Sequence, residues 1–112
     1  MHAAVTFEME QLAYFLGRLR DTPEGAGSLL DNMVILCTTE LSEGNLHSND
    51  EFPILIAGKA SGRLKGNYHY RSTTAENTSK ALLTCFRAAG IPMTGFGYEE
   101  GYVEESLTDL EV

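Results

Sequence analysis

Apolar residues near the start of the chain recur at spacings of four and three: Val5, Met9, Leu12, Leu16 and Leu19. This repeat puts them on one stripe and predicts an amphipathic helix over residues 5–20. Phe7, Tyr14 and Phe15 lie off the stripe and widen the apolar surface, so the helix needs a substantial partner surface. Glu8 and Glu10 near its start and Arg18 and Arg20 at its end suit the helix dipole. The repeat lasts barely two heptads, so core packing is expected rather than a coiled coil. Thr22-Pro23-Glu24-Gly25 and Gly27-Ser28 mark residues 21–32 as a turn-rich connector. Two continuous apolar runs with β-branched members follow, at residues 33–39 and 53–57. They read as strands covered on both faces, as in a parallel sheet, with Pro53 at the permitted first position. Residues 58–66 form a glycine-rich basic loop, and 67–71 alternate as a short edge strand or hairpin arm would. Thr73 and Glu76 have capping-box spacing and predict a second helix with Thr73 as N-cap. Its expected buried stripe is Thr78, Ala81, Leu82, Cys85, Phe86 and Ala89, with Gly90 at C′ and Pro92 ending it.

The predicted order is helix, buried strand, polar loop, buried strand, glycine-rich loop, helix. It implies an α/β fold with mainly parallel buried strands and two main helices, part of a small three-layer sandwich. Two helices cannot cover both faces of such a sheet. Either the chain forms a homo-oligomer or it belongs to a larger fold whose N-terminal part lies elsewhere. The 112 residues suffice for one small domain. The net charge of −8 is uneven: residues 99–112 hold Glu99, Glu100, Glu104, Glu105, Asp109 and Glu111 and no base. The body is then nearly neutral, which divides the chain into a single α/β domain over 1–98 and a solvated acidic tail over 99–112. The bases are scattered, so no nucleic-acid partner is expected. No apolar run reaches the ~20 residues of a membrane span, so no membrane partner is expected either. Residues 1–11 carry neither the basic nor the apolar region of a signal peptide. Cys37 and Cys85 each sit in an apolar run and read as buried free thiols, a single bridge being the alternative.

The candidate chemistry concentrates between the two predicted strands. That loop holds Glu40, Ser42, Glu43, Asn45, His47, Ser48, Asn49, Asp50 and Glu51. Loops at the carboxyl end of a buried strand are where α/β proteins place ligand and catalytic groups. Glu40, His47 and Asp50 offer oxygen and imidazole ligands to a divalent metal, with a position left open. Their spacings of seven and three match no strong metal signature. The alternative is a hydrogen-bonded loop in which Asn45, Ser48, Asn49 and Asp50 cap turns. Lys59, Arg63 and Lys65 could hold an anion together with backbone N–H groups of the glycine-rich loop, although no Walker motif is present. His69 has no orienting acid nearby in sequence, and Ser42 and Ser48 lack a nucleophile-elbow context, so no catalytic residue is assigned.

Several short motifs form a set. Phe15-Leu16-Gly17-Arg18-Leu19 precedes Thr22-Pro23-Glu24-Gly25, and Leu29-Leu30-Asp31-Asn32 leads into the first strand. Gly44-Asn45, His47-Ser48 and Asp50 are followed by Pro53-Ile54-Leu55-Ile56-Ala57-Gly58. Gly62-Arg63-Leu64-Lys65-Gly66, Ala89-Gly90-Ile91-Pro92 and Phe96-Gly97 complete it. Over roughly residues 10–97 this resembles the C-terminal portion of an exported bacterial protein family named for a His-x-x-Ser-His-His (HXXSHH) motif. The naming motif is not in this chain, and Tyr98 stands where the family has Asp. More remotely, the order is similar to the C-terminal end of alkaline-phosphatase- and sulfatase-like hydrolases. The resemblance implies export for the family and a metal-dependent hydrolase for a longer parent. It places Glu40 near a metal-ligand Asp, but Leu41 in an expected His position. The functional expectation is therefore the C-terminal segment of an alkaline-phosphatase-like hydrolase without complete catalytic machinery. The alternative is a non-catalytic interaction or self-association module.

Overall fold

The first helix, α1 (His2–Arg20), continues to the N-terminal side of the predicted repeat. The computed structural model describes residues 2–40 and 42–112. Leu12, Leu16 and Leu19 of the apolar stripe are half-buried, and no residue of α1 is fully buried. The connector after it is more ordered than its composition suggests. Gly25, at φ 57°, turns the chain so that β1 (Pro23–Glu24) pairs antiparallel with β2 (Gly27–Ser28). Ser28 then caps a single helical turn, α2 (Leu29–Asn32). Its hydroxyl accepts from the Asp31 N–H at 3.3 Å, and its own N–H donates to the Asp31 carboxylate at 3.0 Å.

The two apolar runs become β3 (Ile35–Thr38) and β4 (Ile54–Ala57). They pair antiparallel, in the register Ile35↔Ala57 to Thr38↔Ile54. The expected three-layer sandwich of mainly parallel strands is therefore incorrect. The described fold is a small mixed α/β domain with two antiparallel sheets of two strands each. A parallel pair needs a crossover, usually a helix, between its strands. The described residues between 39 and 53 supply none; their polar segment closes on itself through the antiparallel Glu43↔Ser48 bridge, so the chain returns beside the strand it left. Coverage on both faces also fails, for Thr38 and Leu55 are exposed and the other strand residues only half-buried.

The buried core lies beyond β4. Ala60, Leu64 and Ala88 are buried together, with Val34 and Ile56 packed against them. The final main helix, α3 (Ser79–Ala88), starts later than the sequence predicts. The Thr73–Glu76 capping box does not form, because Ser72 Oγ takes the N–H groups of both Thr74 and Glu76. Asn77 Oδ1 accepts from the Ser79 N–H at 2.9 Å instead. Ala81 and Cys85 are buried as expected, while Leu83, Thr84 and Ala88 replace Thr78 and Ala89 on the buried side. Residues 67–71 form no strand. Cys37 is half-buried and Cys85 buried, both as free thiols.

Residues 99–112, expected as a solvated tail, pack back onto the body. Thr84 Oγ1, fully buried, donates to the Lys80 carbonyl at 2.7 Å and accepts from the Leu107 N–H at 2.8 Å. Lys65 N–H donates to the Leu110 carbonyl at 2.9 Å, and Val112 N–H to the Arg63 carbonyl at 3.1 Å. The carboxylates of Glu99, Glu100, Glu104, Glu105 and Asp109 stay exposed, while Ser106 is buried. Acidity alone misleads here because Val103, Leu107 and Leu110 alternate with the charges and supply the anchoring surface.

Candidate functional site

The loop that drew attention in the sequence is held by its own hydrogen bonds. Ser42 N–H and Oγ both donate to the Ser48 carbonyl at 2.8 Å. The Glu43 carboxylate accepts from the Asn45 and Leu46 N–H groups at 3.1 and 2.8 Å. Ser48 Oγ accepts from the Asp50 N–H at 3.1 Å, and Arg71 pairs with Glu51. Glu40, His47 and Asp50 are all exposed, and Leu41 lies outside the described residues. Among the described residues, no group of three or more His, Cys, Asp or Glu side chains is placed to hold a metal. The three proposed ligands are thus not brought together.

Lys59, Arg63 and Lys65 likewise diverge. Lys59 pairs with Asp31 of α2 at 3.0 Å. Arg63 Nη1 donates to the Ala88 carbonyl at the end of α3, at 3.0 Å. Lys65 Nζ donates to the Asp109 carbonyl at 2.9 Å and lies 5.7 Å from the Tyr68 ring centroid. Each cation fastens a different element to the body. An anion pocket needs them to converge on one point.

A polar cluster that composition does not reveal lies at the start of α3. The Ser72 turn directs the Glu76 carboxylate toward Tyr70 and Lys80, and it accepts from both; the Lys80 contact is 3.0 Å. Lys80 also reaches Glu105 at 3.5 Å. Arg87 donates to the carbonyls of Met93, Thr94 and Glu104, each at 3.0 Å. With residues 106–109 these side chains line a cleft of about 480 Å³. The Tyr70 and Lys80 hydrogen bonds hold the Glu76 carboxyl below its ordinary range. Glu76 in turn raises both Lys80 and Tyr70. The carboxylate is therefore a weakened base, the ammonium stays charged and the phenol stays protonated. That set of states suits a latch between Tyr70, α3 and the C-terminal segment better than general acid–base work near neutrality. The Glu76–Lys80 spacing of four was readable in the sequence; the Tyr70 contact was not.

The least satisfied surface is α1. Every residue from His2 to Gln11 is exposed, and in the second half Phe7's helical neighbours Tyr14 and Phe15 are exposed too. Phe7 and Tyr14 stand 60% and 69% exposed. No helix among the described residues is long and apolar enough to cross a membrane.

Comparison with family models, with curated proteins and with solved structures returns no match. The likeness to the HXXSHH family and to alkaline-phosphatase-like hydrolases therefore rests on the sequence motifs alone.

Proposed function

We propose that this chain is a non-catalytic interaction module whose working surface is α1. One observation carries the reading: the chain exposes far more surface than its size warrants. Its accessible surface is 8149 Å². A folded monomer of this mass is expected to expose about 6,100 Å². The surplus of roughly 2,000 Å² is more than twice the ~800 Å² that each partner of a standard-size interface buries, so it is ample for one such contact. Its most apolar part is α1, with Val5, Phe7, Met9, Tyr14 and Phe15 all exposed.

Multi-angle light scattering over a dilution series tests this. The expected result is a weight-average mass above the 12.3 kDa of one chain at high micromolar concentration, falling on dilution. A 12.3 kDa species throughout would overturn the reading. The hydrolase expectation concerns a longer parent protein. Under it, this chain would supply a docking segment, with nucleophile and metal ligands from outside these residues.

A further inference from the structure

We infer that Arg63 and Arg87 together form a binding site for a small monocarboxylic acid with an apolar body, in the hollow at the C-terminal end of α3. The site is separate from α1 and stands or falls independently of the interaction reading.

Two cations without a counter-ion share this hollow. The chain has 16 acids against 8 bases, so a base ordinarily finds a carboxylate. Arg20, Lys59, Arg71 and Lys80 each do. Neither Arg63 nor Arg87 pairs with a carboxylate among the described residues, and with residues 90–94 they line a hollow of about 510 Å³. That volume lies in the range of small-molecule sites. Glu104 touches Arg87 only through its carbonyl; its carboxylate accepts from the Tyr102 hydroxyl at 3.2 Å.

Backbone contacts hold both guanidinium groups without neutralising them. Arg63 Nη1 donates to the Ala88 carbonyl, and Arg87 donates through Nε and Nη2 to the Met93, Thr94 and Glu104 carbonyls. A carbonyl accepts the hydrogen bond and leaves the positive charge uncancelled. The Nε–Nη2 edge of Arg63 has no partner among the described residues. That edge is the fork that takes a carboxylate through two parallel hydrogen bonds. Arg87 keeps Nη1 for a further contact. Its three bonds fix its orientation, so little side-chain freedom is lost on binding. A helix C-terminus opposes an anion, but the last four carbonyls of α3 already have donors. The Ala89, Gly90 and Ile91 N–H groups donate to Cys85, Arg87 and Phe86, and Arg63 donates to Ala88.

The rest of the lining selects the body of the ligand. Ile91, 46% exposed, Pro92 and the half-buried Met93 give the hollow an apolar wall. Gly90 adds no side chain; a Cβ there would stand 3.7 Å from Arg63 Nη1. An inorganic anion leaves the apolar wall wet, and an uncharged apolar molecule leaves the guanidinium groups unpaired. A carboxylate on a short hydrocarbon chain satisfies both.

NMR titration of the isotope-labelled full chain with hexanoate tests the site, with hexan-1-ol and inorganic phosphate as comparisons. Hexanoate should bind with a Kd of about 1 mM. It should shift the backbone signals of residues 90–94 and the Nε–H signals of Arg63 and Arg87. Hexan-1-ol and phosphate should each bind roughly tenfold more weakly or less. Arg63→Gln should weaken hexanoate roughly tenfold. Ile91→Glu changes an exposed side chain, should keep the fold, and should weaken hexanoate as much by repulsion, so the test holds even if Arg63→Gln fails to fold. Hexanoate shifts confined to α1, or unchanged affinity in Ile91→Glu, overturn the site. Phosphate binding as tightly as hexanoate overturns the apolar acid in favour of a plain anion site. Hexan-1-ol binding as tightly overturns the role of the arginines. No saturable shift at about twenty times the expected Kd overturns the proposal outright. The light-scattering result for α1 is unaffected by any of these outcomes.

Discussion

Single residues fix this fold where backbone approaches backbone. Gly58 has φ 93°, and a Cβ there would sit 2.1 Å from the Met33 carbonyl oxygen. That close approach lets the Lys59 and Ala60 N–H groups donate to the Leu30 and Met33 carbonyls at 3.3 and 3.0 Å. Gly58→Ala should destabilise the protein by on the order of 3 kcal/mol, through both the backbone conformation and the clash. Gly17, inside α1 with open space around it, should respond oppositely: Gly17→Ala gains roughly 0.5–1 kcal/mol from helix propensity. Urea unfolding of the two variants checks both signs, and a neutral Gly58→Ala would show that the close approach is dispensable. The glycine-rich loop was visible in the sequence. Which of its glycines carries the constraint was not, because Met33 approaches it from a distant part of the chain. The same holds for Lys59, Arg63 and Lys65. Their proximity in sequence suggested a shared ligand, but each follows a different neighbour in space.

At the scale of elements, the sequence was legible where periodicity is strong and misleading where pairing decides. The first helix and both apolar strands lie where their patterns predict, within a few residues, and α3 ends where expected but starts later. Strand direction was not legible, since an apolar run of four residues reads the same in a parallel or an antiparallel pair. The start of α3 was missed because Ser72 and Asn77 outcompete Thr73 for the exposed N–H groups. The Glu76 cluster depends on that displaced start. Its carboxyl is held below the unfolded value of 4.5, so its contribution to stability is fully present above that pH. It is lost as pH falls through the lowered folded value. Lys80 and Tyr70 are raised instead. Their contribution is present below their unfolded values, near pH 10, and is lost as pH rises through the folded ones. Glu76→Gln should therefore lower Tm near neutrality and flatten the acid side of a Tm–pH curve below about pH 4.5. An acid limb identical to wild type would mean that the Tyr70–Glu76–Lys80 contacts contribute nothing to folding.

At the scale of the whole molecule, burial is what sets this chain apart. Its radius of gyration is 15.2 Å, against about 13 Å for a compact chain of this length. Small domains already bury a low fraction of their surface, and a two-stranded sheet adds little independent stability. The sequence indicated this shortage: its apolar pattern called for more cover than its elements could give. It could not indicate where the shortage falls, because the stripe on α1 looked like core. If association covers α1, folding and association are linked by mass action. A hundredfold rise in chain concentration then adds about 2.7 kcal/mol per dimer, half of it per chain. With the unfolding entropy of a domain this size, Tm should climb by roughly 5 °C over that range. Differential scanning calorimetry at two concentrations and fixed ionic strength measures this directly. A Tm independent of concentration would place the folded chain among monomers and leave the apolar face of α1 without a role in its stability.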